Sequence, residues 1–308
     1  MRVRNARTIQ TEGRWNRVKH STNVALSLFA ILLSVLTLLP VLFVFIISLS
    51  AESSIAAHGY SILPTAWSLD AYRYLLKSID YIGRSFLLSG AVMLVGTALS
   101  LILISTMAFA LSRRDFRLRR LYNVLIIIPL FFSGGLVASY VVNTQLLGLK
   151  NSFFALILPA ACSTWYILVM RTYFRNNIPE ELLDAARIDG AGTFCMFFRI
   201  VLPLSKPIFV TVGLFEAFAY WNSWYYAMLY ISPNHKELYP LQFVLYSIQS
   251  NIEFMSGDNI ISGAVITELP SETFRMAVVV IILLPILLAY PFTRRFFVKG
   301  MTSGALKD

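Results

Sequence analysis

Residues 23–49 contain no charged side chain, and only Asn23, a few serines and threonines and Pro40 interrupt their apolar character. A membrane-crossing helix needs about 20 such residues. The apolar core of a cleavable signal peptide runs to only about 7–15. The stretch therefore reads as an uncleaved first span. Further apolar runs occupy 85–111, 121–143, 153–173, 207–231 and 274–293. Hydrocarbon leaves no partner for a backbone N–H or C=O, so spans of this length close their hydrogen bonds within helices. The composition agrees: 57% hydrophobic and 14% charged residues, with a mean hydropathy of +0.68, lie outside the balance of soluble domains. The expectation is an all-α membrane protein with six transmembrane helices.

Five segments follow in order. Residues 1–22 are a basic tail and 23–49 the first transmembrane helix. Residues 50–84 are an external loop, 85–293 a five-helix core, and 294–308 a second tail. Small residues in the second span (Ser89, Gly90, Gly96, Thr97 and Ser100) predict close helix packing. Pro129 with Gly134 and Gly135 predicts a kink or an interruption in the third.

A formal net charge of +10 invites a nucleic-acid reading. Position argues against it. Most Lys and Arg residues lie in the N-tail, in the turn with Arg113, Arg114, Arg117, Arg119 and Arg120, in segment 171–206 and in the C-tail. With six spans these all fall on one side. The excess of positive charge on cytoplasmic loops then places both termini in the cytoplasm. Membrane lipid, and no nucleic acid, is the implied surroundings. The 232–273 loop faces outward, and Pro240-Leu241-Gln242 within it suits contact with an external partner.

Residues 177–203 form a polar island among these runs. They read as a short helix, a glycine break and a second amphipathic helix. Asn177 is placed as N-cap with Glu180 three residues on, Pro179 in the first turn, and Glu180 and Glu181 at the positive end of the dipole. Gly190 and Gly192 stop the helix. Leu182, Ala185, Ala186 and Asp189 share one face, where two alanines let another protein come close.

No phosphate-binding glycine-rich loop is present, and no Gly-x-Ser-x-Gly elbow. His20, His58 and His235 are far apart, and Cys162 with Cys195 makes neither a disulfide framework nor a metal set. No catalytic, cofactor or metal residues are expected. Glu216 is the one clearly mid-span acid, and such charges face a cavity or a partner. Tyr220 lies four residues on, on the same face, with Asn222 and Trp224 close behind. Aromatic rings stack on sugar faces while Asn, Glu and Tyr bond hydroxyls, so this set and Asn143 form a candidate substrate path. An interfacial aromatic belt with one interhelical bond from Glu216 is the other reading.

The island carries a resemblance. Asp184-Ala185-Ala186, then Gly190, then Ile200 and Leu202-Pro203 resembles the EAA loop of the membrane subunits of binding-protein-dependent ABC importers. Ile188-Asp189-Gly190-Ala191 and the segment from Arg199 to Pro207 resemble the carbohydrate branch, and most of all its maltose-transporter-type second permease. Asp184 stands where the family usually has Glu, which keeps the charge and shortens the reach. The segment Ile62-Leu63-Pro64 with Trp67 to Tyr72 resembles the first external loop of sugar permeases. The basic tail and Ala51-Glu52-Ser53-Ser54 resemble polysaccharide-type importers. The resemblance implies a type I importer permease fold with a cytoplasmic coupling helix. It implies ATPase-coupling roles for Glu181, Asp184, Ala185, Ala186, Asp189, Gly190, Ile200, Leu202 and Pro203. It implies a second permease subunit, two ATP-binding subunits that hold the ATP, an extracytoplasmic solute-binding protein, and the bacterial inner membrane. The implied cargo is a sugar, as an oligosaccharide or glycan fragment. Import of glycerol phosphate or a polyamine, or a role as membrane scaffold or enzyme, are the alternatives.

Overall fold

The computed structural model describes residues 20–77, 79–256 and 271–304. The basic tail expected over 1–22 thus lies outside the described residues except at 20–22, as do 257–270 of the outer loop and 305–308 of the C-tail.

The described residues are helical, with a lone β-bridge between Ser50 and Trp67. Helix α1 (His20–Ser48) leads into α2 (Glu52–His58) and α3 (Asp70–Lys77). A long α4 (Ile79–Ser112) is followed by α5 (Arg119–Phe131) and α6 (Gly135–Val141). Then come α7 (Thr164–Asn177), α8 (Glu180–Ile188), α9 (Thr193–Met196) and α10 (Leu202–Leu204). The chain closes with α11 (Lys206–Trp221), α12 (Tyr225–Tyr230), α13 (Leu241–Ser256) and α14 (Ser271–Gly304).

Helix α4 is the centre of the bundle and packs chiefly against α11 and α7. Its buried stripe includes Ser85, Ser89, Val92, Gly96, Ser100 and Ala108. Small side chains at helical spacing let a second backbone come near. A methyl group at Gly96 would stand 2.8 Å from the Tyr220 ring of α11, and one at Gly213 would stand 3.1 Å from Leu101. Ser89 Oγ accepts the Leu241 N–H at 2.8 Å and so caps α13 from another helix. Trp221 Nε1 donates to the Ile282 carbonyl at 3.1 Å, tying α11 to α14. Helix α14 also packs on α1, α3 and α13. Its first turn is capped from α2, where Glu52 accepts from the Thr273 N–H at 3.0 Å and the Thr273 hydroxyl at 2.8 Å.

Residues 21–40 are all exposed. In water so apolar a surface would be untenable, and in a bilayer it meets lipid.

The helix pattern departs from the six apolar runs in detail. Two helices, Ser21–Ser48 and Ile79–Ser112, are long and apolar enough alone to cross a membrane. Two helix pairs are long and apolar enough only when taken together across a bend: Phe153–Ala160 with Thr164–Asn177 at 53°, and Thr193–Leu204 with Lys206–Trp221 at 84°. Pro159 lies in the last turn before the first break, and Pro203 and Pro207 flank the second at Ser205, because proline cannot donate to the helix ladder. The run 121–143 is interrupted between α5 and α6, with Gly135 at φ +79 as expected of this glycine. The run 207–231 is not one helix. It stops at Trp221 and resumes as α12. Helix α4 begins at Ile79, inside the segment read as external loop, and α13 occupies part of the segment read as outer loop.

Candidate functional site

Helix α8 is built from both ends. Pro179 disfavours a helical conformation at the residue before it, and Ile178 is extended at φ −110, ψ 110. That ends α7 at Asn177, whose side chain turns back to the Tyr173 carbonyl at 3.0 Å. Asn177 is therefore not the cap of α8. Pro179 occupies the N-cap position itself, without a side-chain bond. Glu180 and Glu181 in the first turn and Arg187 in the last face the helix dipole favourably.

At the other end Gly190 has φ +82. Its N–H bonds the Arg187 carbonyl at 3.0 Å, and the Ala191 N–H bonds the Ala186 carbonyl at 2.9 Å. These two bonds are the Schellman pattern. Gly192 is extended and opens α9, so Gly190 alone stops the helix.

Leu183 is buried and anchors α8 to the cluster that holds Ile104, Phe109, Met170 and Phe197. Ala186 packs against the same cluster, whereas Ala185 is exposed. The two alanines thus divide between the inner and outer faces. The outer face presents Glu181, Leu182, Ala185, Ile188 and Asp189, with Ile188 87% exposed. Asp184 lies 3.8 Å from Arg187. Of the remaining motif, Ile200 and Leu202 pack against the cluster and Pro203 is exposed beside the 84° elbow.

The turn between α4 and α5 reaches this helix. Asp115 accepts from Arg113 Nε at 3.0 Å and Nη2 at 3.2 Å, and pairs with Arg187 of α8. Arg114 pairs with Glu180 at 3.1 Å. The Arg113 guanidinium first, and Arg187 with it, hold the Asp115 carboxyl at about 2. In the sequence this turn speaks only to orientation. A single acid among five arginines is the one signal there of a further role.

The substrate-path candidates divide into three places. Glu216 is 2% exposed and lies with Tyr220 against α4. Ser100 Oγ meets the Tyr220 hydroxyl at 3.0 Å. Tyr220 donates in turn to the Ile157 carbonyl at 3.1 Å. Asn222 is exposed, and Gln242 Nε2 donates to its Oδ1 at 3.1 Å. Trp224 stacks on Tyr246, centroids 4.2 Å apart and planes 16° apart. Asn143 sits in a π-helical turn, Val142–Leu146, and donates to the Tyr230 hydroxyl at 3.1 Å. Tyr230 stacks on both Tyr140 and Tyr226. The sequence marks Gln242 only as part of an external contact, and nothing in it singles out Tyr246 or Tyr230, since its apolar pattern does not mark α12 and α13 as separate elements. Among the described residues no His, Cys, Asp and Glu cluster suits a metal ion.

An all-helical membrane bundle that displays a capped, anchored helix beside an elbow at one end is the fold of an ABC importer permease subunit. The chain matches, over residues 96–303, the family described as binding-protein-dependent transport system inner membrane component, and it belongs to that family. It is similar to the polygalacturonan/rhamnogalacturonan transport system permease protein YtcP of Bacillus subtilis, 38% identical over 279 residues, covering 91% of this chain and 96% of the relative. Protein LplC of the same organism is 37% identical over 274 residues, covering 88% and 90%. The arabinooligosaccharides permease AraQ of that organism is 28% identical over 287 residues, covering 92% and 95%. Among solved structures, a bacterial ABC transporter involved in import of the acidic polysaccharide alginate has a chain with TM-score 0.77 and 27% identity. The match covers 91% of this chain and 99% of that one. The chain is thus an inner membrane transport component.

Proposed function

We propose that this chain is one of two permease subunits of an ATP-driven importer for an oligosaccharide or glycan fragment. It crosses the membrane six times with both termini in the cytoplasm, and α8 is the helix that docks on a partner ATPase. Two such ATPases bind and hydrolyse ATP, a second permease completes the path, and an extracytoplasmic solute-binding protein delivers the cargo. The observation that carries this reading is α8 itself. It is capped at Gly190, anchored by Leu183 and presents Leu182, Ala185 and Ile188 outward. An apolar side chain held so far into water, beside small and acidic residues, fits a protein groove better than solvent. Relatives named for the transport of polygalacturonan/rhamnogalacturonan and of arabinooligosaccharides, and the likeness to a transporter involved in alginate import, support a glycan cargo.

On the transport face, Trp224, Tyr246 and Asn222 are the groups available to a sugar. Tyr220 joins α11 to α4 through Ser100, with the buried Glu216 one turn before it. The decisive experiment is purification in mild detergent followed by reconstitution. An ATPase, a second permease and a solute-binding protein should copurify, and ATP should drive oligosaccharide uptake. Trp224→Ala should slow uptake about tenfold, the scale of one lost stacking contact, and leave ATPase copurification intact. Recovery of this chain alone, under conditions that keep other complexes whole, defeats the reading.

A further inference from the structure

Helix α8 is loosely joined to the chain by its backbone. An extended Ile178-Pro179 link precedes it and a left-handed Gly190 follows. Leu183 is its one buried side chain, with the small Ala186 packed against the same cluster. A helix of nine residues, about 13 Å long, fixed near its middle by one anchor is free to pivot about that anchor. Two ionic contacts remove this freedom. Arg114 holds Glu180, the first residue of α8, and Asp115 holds Arg187 near its last.

Both grips come from adjacent residues at the foot of α4. The Asp115 grip is the stiffer. Its carboxylate takes a two-pronged hydrogen bond from Arg113, whose side chain is only 11% exposed. Arg113 in turn lies 5.9 Å over the Phe109 ring of α4 and reaches Met196 Sδ at 4.0 Å. A lone exposed ion pair contributes little, but a carboxylate shared by two guanidiniums in fixed geometry is a network. Higher up, the same α4 presents Gly96 and Ser100 to Tyr220 of α11.

We propose that Asp115 is the positioning residue of coupling. It clamps Arg187 of α8 to the foot of α4, so that a displacement of α8 moves α4 and not merely the loop around Gly190. This rests on the docking role of α8 proposed above. Asp115 touches neither cargo nor nucleotide and acts through Arg187.

The test uses the assembled, reconstituted importer, with uptake and ATP hydrolysis measured together. Asp115→Asn should leave the complex assembled and hydrolysing, while uptake per ATP falls at least about tenfold, the scale of a lost bidentate charged contact. Arg187→Gln should do the same. The double variant should be no worse than either single one, the non-additivity of two ends of one bridge. Asp115→Glu, which keeps the carboxylate, should restore most of the ratio. A merely structural role predicts instead less complex at an unchanged ratio, and that result overturns the proposal. So does an unchanged ratio in both single variants, or losses that multiply in the double. Ala185→Arg separates the two levels, because it obstructs the docking face and leaves the clamp intact. Loss of the ATPase in Ala185→Arg, beside normal coupling in Asp115→Asn, removes the clamp and keeps the docking helix. Normal uptake in Ala185→Arg removes the docking reading and this proposal with it.

Discussion

A methyl group at Gly96 would stand 2.8 Å from carbons of the Tyr220 ring, closer than packed carbons come. Tyr220 has nowhere to yield, since its hydroxyl is held by Ser100 and the Ile157 carbonyl. Gly96→Ala should therefore destabilise the protein by about 1–3 kcal/mol, the usual cost of overpacking. Gly90 lies on the same helix, and a methyl group there would meet nothing within 4 Å, so Gly90→Ala should be close to neutral or slightly stabilising. Thermal unfolding in detergent distinguishes them, and equal midpoints for the two variants would show that the α4–α11 contact is not tight. The crowding of small residues in α4 is readable from the sequence, because Ser89, Gly96 and Ser100 recur on a helical period. Which of them meets a ring is not readable, since Tyr220 lies 120 positions away from Ser100. The misplaced cap at Asn177 has a local cause. The Asn-x-x-Glu spacing suggests a capping pattern, but the stronger constraint is the bar that Pro179 sets on the residue before it.

Helices as units are legible where their signal is periodic or chemical. The end of α8 at Gly190 follows from glycine geometry, whereas its start falls two residues beyond the one that Asn177 as cap implies, with Pro179 itself at the N-cap. The break after Trp221 is hidden in the sequence, because an apolar run looks the same whether its helix continues or bends. The stacking of Trp224 on Tyr246 is a product of tertiary packing. The grip of the α4–α5 turn on α8 has a consequence at this scale. Folding lowers the Asp115 carboxyl to about 2, below the ordinary value of about 3.9. A carboxyl lowered by folding contributes stability that is complete above its unfolded value and is lost as pH falls through its folded one. The contribution should thus be constant above about pH 5 and should fade between about pH 4 and pH 2. Charges facing it are Arg113 and Arg187, with Asp184 beside Arg187 and the Arg114–Glu180 pair next along the turn. Thermal midpoints followed across this interval should fall less steeply in Asp115→Asn than in the wild type. Parallel slopes would mean that the carboxylate is not held by the arginines.

At the scale of the whole molecule, the chain alone leaves one broken apolar segment unexplained by its own packing. Helix α5 buries only Ile126 and α6 buries nothing, while Phe131, Phe132 and Val137 are all more than two-thirds exposed. If lipid covered this face, the irregular backbone at 132–134 would stand in hydrocarbon, where unsatisfied peptide groups cost several kcal/mol each. Such a break is tolerated only against other protein or water. The face should therefore lie against the second permease or border the path between the two subunits. After replacement of Cys162 and Cys195 by serine, a single cysteine at Ser133 reports on this directly. In the assembled importer it should react with a water-soluble maleimide or cross-link to the second permease, and saturating cargo should slow the aqueous reaction if the path runs beside it. Reaction with lipid-soluble reagents alone, with no cross-link, would place the break in the bilayer. That outcome would require a covering segment for α5 and α6 from within this chain.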